Sequence, residues 1–228
     1  MAVAFDAVTT SDNAGSPASF SHTASGSNRL AVAMIVFQKD STAVNGTPTY
    51  GGSNMTKFTE FDPVGAADAI GKIEIWYIVA PALLAQTVSI AWTATGDDAI
   101  IAVASFTGVD QTTPLSGAAT AEGNSTTPSV AVVSGTDDLV VDVVESEGLS
   151  STAGASQTER VDTTSGGAAG HITVTTEPGA VSVTMSETLN ASAKWAKIGF
   201  NVEAVAAGLA GHGLLLSHKR NRLVQMAA

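Results

Sequence analysis

The chain has 228 residues, of which 44% are hydrophobic and only 14% are charged, with a net charge of −11 and no cysteine. This composition excludes a disordered chain, because the apolar residues fall in short patterned runs, and it excludes disulfides, thiolate metal sites and a cysteine nucleophile. The acidic balance argues against nucleic acid as a partner of the body of the protein, since phosphate contacts need clustered Lys and Arg.

The N-terminal segment "MAVAFDAVTTSDN" (1–13) lacks both a basic region and a long apolar core, so it does not have the pattern of a signal peptide. No run in the chain approaches the roughly 18 apolar residues of a membrane-spanning helix. We therefore expect no transmembrane segment and no membrane partner, and synthesis in a cytoplasm.

Strand patterns follow one another along the chain. "RLAVAMIVFQ" (29–38) is continuously apolar, as in a central strand buried on both faces. "IGKIEIWYIV" (70–79) begins with alternation, "PALLAQ" (81–86) predicts one short helical turn, and "QTVSIAWT" (86–93) alternates cleanly. The set of about a dozen strands is completed by "DAIIAVASF", "DLVVDVVES", "GHITVTTE", "AVSVTMSE" and "AKWAKIGFNVE".

Turn signals such as "NG", "YGGSN", "GTDD" and "EPGA" separate these strands. Strands every 8–15 residues with such turns are typical of an antiparallel β-sandwich or jelly roll. We predict an all-β fold, an antiparallel jelly-roll-like sandwich. Because no linker divides residues 1–204, we expect one β-sandwich domain there, followed by a C-terminal extension over 205–228.

The sequence contains no recognisable catalytic constellation. Its four histidines are scattered (His22, His171, His212 and His218), and neither a metalloprotease HExxH nor a hydrolase GxSxG motif occurs. We therefore expect a non-enzymatic protein without catalytic residues or an organic cofactor.

Two acidic pairs precede apolar strands, Asp97–Asp98 and Asp137–Asp138. They could contribute carboxylates to a calcium site, although Asp at a turn more often bonds its own backbone. Glu145 and Glu147 share one strand face, as paired glycosidase carboxylates could, but we expect them to mark the solvated end of a strand.

The three tryptophans, Trp76, Trp92 and Trp195, lie inside apolar strands and are expected in the core. Alternation places Trp76 beside Lys72 and Glu74. Trp76 is therefore the candidate ligand contact, and it carries the alternative function, a carbohydrate-binding or adhesive sandwich on a cell or virion surface.

Several phrases resemble a concanavalin-like or jelly-roll module found in phage structural proteins and bacterial surface proteins. They are "SNRLAVAMIVF", "TPTYGGSNMTKF", "KIEIWYIVAP", "SFTGVDQTTPL", "DLVVDVV", "QTERV" and "KWAKIGFNVE". The resemblance implies a structural or adhesive role and transfers no catalytic residue. Because no export signal is recognised, it favours a virion component made in the host cytoplasm, such as a capsid decoration, head-fibre or tail-associated protein.

The C-terminal extension differs from the rest of the chain. Residues 1–204 carry seven bases and 21 acids, whereas 205–228 carry three bases and no acid. We expect a Gly/Ala tether and then an anchor that docks on another subunit or on a virion protein. The predicted anchoring residues are Leu214, Leu215, Leu216, Lys219, Arg220, Arg222, Leu223 and Val224. Few lysines protect the sheet edges, so we also expect homo-oligomers, with a trimer favoured by analogy.

Overall fold

A computed structural model describes residues 1–13, 15–38, 42–64, 70–93, 99–164 and 170–206. Within these ranges the chain forms 17 β-strands and no helix, which confirms the predicted all-β antiparallel class. The strands are β1 (Ala4–Asn13), β2 (Ala18–Ala24), β3 (Leu30–Phe37), β4 (Thr49–Tyr50), β5 (Ser53–Asn54), β6 (Thr56–Phe61), β7 (Ile73–Val79), β8 (Leu84–Ile90), β9 (Ala99–Thr107), β10 (Leu115–Ser125), β11 (Ser129–Val133), β12 (Leu139–Ser146), β13 (Ser151–Ala153), β14 (Thr158–Thr164), β15 (His171–Pro178), β16 (Ser182–Leu189) and β17 (Ala193–Val202).

The helical turn expected at "PALLAQ" does not form. Residues 80–83 make the turn from β7 to β8, and Leu84–Gln86 already belong to β8. Ala80 and Leu84 adopt positive φ, at 47° and 70°. The apolar run was too short to distinguish a helical turn from a strand start.

The strands form four antiparallel sheets. Two of them have five strands, in the orders β1-β9-β3-β7-β6 and β10-β17-β12-β15-β14. A four-stranded sheet, β2-β8-β4-β5, covers the first, and a three-stranded sheet, β11-β16-β13, covers the second. The described chain therefore has four layers, with the five-stranded sheets in the middle.

The two halves of the chain repeat the same topology. Replacing β1, β9, β3, β7 and β6 by β10, β17, β12, β15 and β14 converts one five-stranded sheet into the other, and β2 and β8 correspond to β11 and β16. In each half the strands follow jelly-roll order, in which most consecutive strands lie in different sheets, whereas β4–β5, β6–β7 and β14–β15 are hairpins within one sheet. The strand and turn pattern of the sequence predicted a jelly roll but not its duplication.

Strand registers identify equivalent residues in the two halves. Leu30 opens β3 opposite Phe106 and Val79, and Leu139 opens β12 opposite Val202 and Pro178. The edge strands β6 and β14 even have a β-bulge at the same step of this register, which supports the alignment.

The main core lies between the two five-stranded sheets. Val32 and Met34 of β3 meet there with Val141 and Val143 of β12, all of them fully buried. The opposite faces of β3 and β12 are covered by the outer sheets. This double burial explains why "LAVAMIVF" and "LVVDVV" have few polar residues. The prediction of one domain over 1–204 stays a prediction.

The chain begins and the described part ends on the same side of this core. Val3 N donates to Asp137 O at 2.8 Å, and Gly108 N donates to Ser27 O at 3.2 Å. Val205 N donates in turn to Gly108 O at 2.9 Å. We call this side, where residues 1–3, 107–114 and 202–206 meet, the terminal end. Among the described residues, no helix is long and apolar enough to cross a membrane.

Candidate functional site: a buried lysine–carboxylate cluster

Lys197 is a fully buried cation in the second half of the molecule. It lies on β17, the neighbour of β12, and its exposed fraction is 0%. Its Nζ lies 2.6 Å from Oδ2 of Asp142 on β12 and forms a second ion pair with Glu187 on β16. Lysine is almost never buried in this way unless it is paired.

A chain of hydrogen bonds fixes the Asp142 carboxyl group. Its Oδ1 accepts from the backbone N of Thr175 at 3.2 Å and from the Thr175 hydroxyl at 2.7 Å. Gln157 Nε2 donates to that hydroxyl at 2.6 Å and to Glu187 Oε1 at 3.2 Å. The two oxygens of Asp142 therefore differ, since Oδ1 is held by donors and Oδ2 faces the lysine amine.

The cluster combines two carboxyl groups with one amine. Burial, and then the neighbouring Asp142, raises the pKa of Glu187 to about 8, although Lys197 acts in the opposite direction. Glu187 therefore favours its protonated form at neutral pH. A proton and an amine are held within reach of the same carboxyl group.

Apolar side chains enclose the cluster within its layer. Toward the terminal end lie Val132, Val183 and neighbouring residues, and toward the opposite end lie Leu189 and Trp195. This environment keeps water from the ion pairs and strengthens the interactions between them.

The first half of the molecule places apolar residues at the equivalent positions. By strand register, Asp142 corresponds to Ala33 and Lys197 to Ile101. Both Ala33 and Ile101 are fully buried in a continuous apolar cluster. The first half therefore forms the same topology with apolar side chains at these two positions, and a buried ion pair is seldom more stabilising than such a replacement.

A second polar network lies at the β14–β15 edge. His171 contacts Asp162 through Nε2 and Thr164 Oγ1 through Nδ1 at 2.8 Å. Ser151 Oγ donates to Thr173 Oγ1 at 2.9 Å and not to the histidine. In the strand register, His171 and Asp162 occupy positions equivalent to those of Lys72 and Glu60 in the first half. Lys72 and Glu60 form an ion pair at 3.6 Å.

Trp76, the predicted ligand contact, is only 9% exposed. It lies beside Glu74, as the alternation predicted, and its Nε1 donates to Glu74 Oε2 at 3.0 Å. Lys57 Nζ lies 5.6 Å from the ring centroid. The ring is packed and hydrogen-bonded and is not an open platform, and its contact with a ligand stays a prediction.

Of the acidic pairs, the structure describes only Asp137–Asp138; Asp97–Asp98 lies outside the described residues. The Asp138 carboxylate accepts from Gly135 N at 2.7 Å, from Asn201 Nδ2 at 2.8 Å and from Ala204 N at 2.8 Å. It thus fastens a turn to the end of β17. No group of three or more potential metal-ligating residues occurs in the described ranges, and calcium binding stays a prediction.

The expectation of a solvated Glu145–Glu147 pair is wrong for Glu145. Glu145 is 2% exposed, and its Oε1 accepts from Gly71 N at 3.4 Å. Glu147 follows the end of β12 and is exposed. The two carboxylates therefore occupy different environments, because the solvated end of this strand begins only after Ser146.

The anchoring residues predicted in the C-terminal extension lie outside the described residues. They are Leu214, Leu215, Leu216, Lys219, Arg220, Arg222, Leu223 and Val224. Their role stays a prediction.

Comparisons with known proteins found no matching family model, curated protein or solved structure. The function must therefore be inferred from the residues and their geometry. The lysine–carboxylate cluster was missed by the sequence analysis, although two signals were present. Asp142 interrupts the apolar run "LVVDVV", and Lys197 lies within "WAKIGF".

Proposed function

We propose that this chain is a non-enzymatic structural protein, a repeated building block of a bacteriophage particle or a related protein assembly. It associates with copies of itself, with a trimer favoured, and with other proteins of the particle. Its position is that of a capsid decoration, head-fibre or tail-associated protein.

The observation that carries this proposal is an exposed apolar surface at the terminal end. The β7–β8 turn reaches this end because Val79 pairs with Leu30, the first residue of β3. The β15–β16 turn reaches it because Gly179 N donates to Asp138 O at 2.9 Å. Six of the seven large apolar side chains exposed in the described ranges lie here: Met1, Val79, Leu83, Leu84, Val133 and Val181.

Such a surface supports association. Leu84, Val133 and Val181 are 76%, 70% and 88% exposed, and large exposed apolar side chains at one end of a protein support contacts with other proteins. The last described residues, 205 and 206, lie at this same end, where Val205 N donates to Gly108 O. The low content of charged residues lowers the side-chain entropy lost when such surfaces pack.

Light scattering and negative-stain imaging of the purified full chain test this proposal. At micromolar protein and physiological salt we expect homo-oligomers, which Leu83→Glu combined with Val181→Glu dissociates into folded monomers. Val64→Glu is the matched control, since Val64 is 82% exposed but follows β6 at the opposite end. A full-length chain that remains monomeric and never joins a particle would contradict the proposal, as would dissociation by the control substitution.

A further inference from the structure

We propose that Lys197 and Asp142 become joined by an intramolecular isopeptide bond, with Glu187 as the group that moves the protons. The bond would link β17 covalently to β12 inside the layer between the five-stranded and three-stranded sheets. This proposal does not depend on the proposed assembly function.

The reacting groups already lie in contact. Lys197 Nζ is 2.6 Å from Asp142 Oδ2, so the amine lies next to the carboxyl carbon that it would attack. In the strand register Asp142 pairs with Gly199 and Lys197 pairs with Val144. The two side chains are thus diagonal neighbours on one face of the sheet, and the bond needs no strand displacement.

Formation of the bond requires particular protonation states. Amide formation needs a neutral amine and a protonated carboxyl group, and both are neutral forms that a dry interior favours over ions. Moving one proton from Nζ to Oδ2 across the contact converts the ion pair into these forms. Glu187 keeps its own proton in the same environment.

The reaction balances without an added reagent. Lys197 Nζ attacks Cγ of Asp142, a C–N bond forms, and the electron pair of the carbonyl moves to Oδ1. The backbone N–H and the hydroxyl of Thr175 both donate to Oδ1 and stabilise the developing charge. Glu187 gives its proton to the leaving oxygen and accepts one from Nζ, the C–Oδ2 bond breaks, and one water leaves.

Comparison with the first half of the molecule indicates that the fold does not require charged residues at these two positions. Ala33 and Ile101 fill the equivalent positions with apolar atoms, and a buried ion pair seldom stabilises more than such a replacement. A covalent amide removes both charges while keeping the strands together. β17 leads directly to the terminal end, so the bond would prevent this strand from being pulled out of the sheet.

The test is the mass of the denatured full-length chain. We expect the purified protein to be lighter than its sequence by one water, and proteolysis with tandem mass spectrometry to yield a branched peptide joining Lys197 to Asp142. Glu187→Gln should restore the full mass, because the glutamine cannot exchange the proton. The double variant Asp142→Ala with Lys197→Ile copies the first half, and we expect it to fold with the full mass.

Three results would overturn this inference. The first is a folded wild-type chain that still has its full sequence mass after prolonged incubation. The second is a loss of water that persists in the folded double variant, which would place the dehydration elsewhere. The third is a bond that forms equally fast in Glu187→Gln, which would remove Glu187 from the reaction. The wild-type mass decides the existence of the bond even if a variant fails to fold.

Discussion

His22 shows how burial acts on a single titratable residue of this molecule. The ring is 1% exposed, its Nδ1 lies 3.0 Å from Thr9 Oγ1, and it packs edge-on against Tyr50. Burial lowers the pKa of His22 below its ordinary value of 6.5, although the nearby Asp6 acts in the opposite direction. The folded protein therefore holds this histidine neutral at pH values where the unfolded chain begins to bind a proton.

This shift predicts a loss of stability in mild acid. Because unfolding takes up a proton at His22 below pH 6.5, the contribution of His22 to the free energy of unfolding falls as the pH falls through that range, opposite in sign to the contribution of Glu187. His22→Phe keeps a ring beside Tyr50 but cannot titrate, so it should lose less stability between pH 7.5 and pH 5.5. The difference should not exceed about 1.4 kcal/mol for each pH unit. Urea denaturation of both proteins at the two pH values measures it, and equal losses would contradict the prediction.

At the scale of the element, β17 carries both the candidate site and a close packing contact. Lys197 and Gly199 lie on the same face of this strand, toward the three-stranded sheet. A Cβ at Gly199 would approach Val132 Cγ2 to 2.6 Å and Val130 Cγ1 to 2.8 Å, which is closer than real contacts allow. The missing side chain therefore lets β11 pack against the centre of the five-stranded sheet.

We expect Gly199→Ala to lower the free energy of unfolding by roughly 1–3 kcal/mol, since the added methyl group overpacks this layer. Gly15→Ala is the matched control, because a Cβ there meets no atom within 4 Å. It should be neutral or slightly stabilising. Thermal or chemical denaturation of the two variants measures both effects. If both substitutions cost the same, packing at Gly199 is not the cause.

The strands with a buried face were predictable from the sequence, because they show alternation or a continuous apolar run, whereas β5 and β10 contain no buried residue and show no such pattern. The tandem repeat could not be predicted from the sequence, since many equivalent positions are similar in burial but differ in residue type. Ala33 corresponds to Asp142, and Trp76 corresponds to Thr175. The lysine–carboxylate cluster could not be predicted from the sequence, because its residues come from β12, β16 and β17 and are brought together only by folding. A lone charge in a doubly buried strand was the usable signal, since such a charge must find a partner.

For the molecule as a whole, the four layers leave the terminal end as the surface that combines both termini of the described chain with exposed apolar side chains. The last described contacts are the hydrogen bond from Val205 N to Gly108 O and the bridge between Val109 and Ala204. A chain that ends after residue 207 keeps both of these contacts. The sandwich and its C-terminal extension can therefore be tested separately.

Deletion of residues 208–228 should leave a folded sandwich that no longer joins its assembly. Its thermal unfolding should match that of the full chain, since the β1–β17 layers and the Val205 contact remain intact. Differential scanning calorimetry measures the stability, and light scattering at matched concentrations measures the association.

Replacing Lys219, Arg220 and Arg222 by Ser in the full chain is the control for charge, and it should weaken association at low salt more than at high salt. A truncated chain that assembles as well as the full one would show that the extension is not the anchor. A truncated chain that unfolds at a clearly lower temperature would show that the extension docks on its own sandwich.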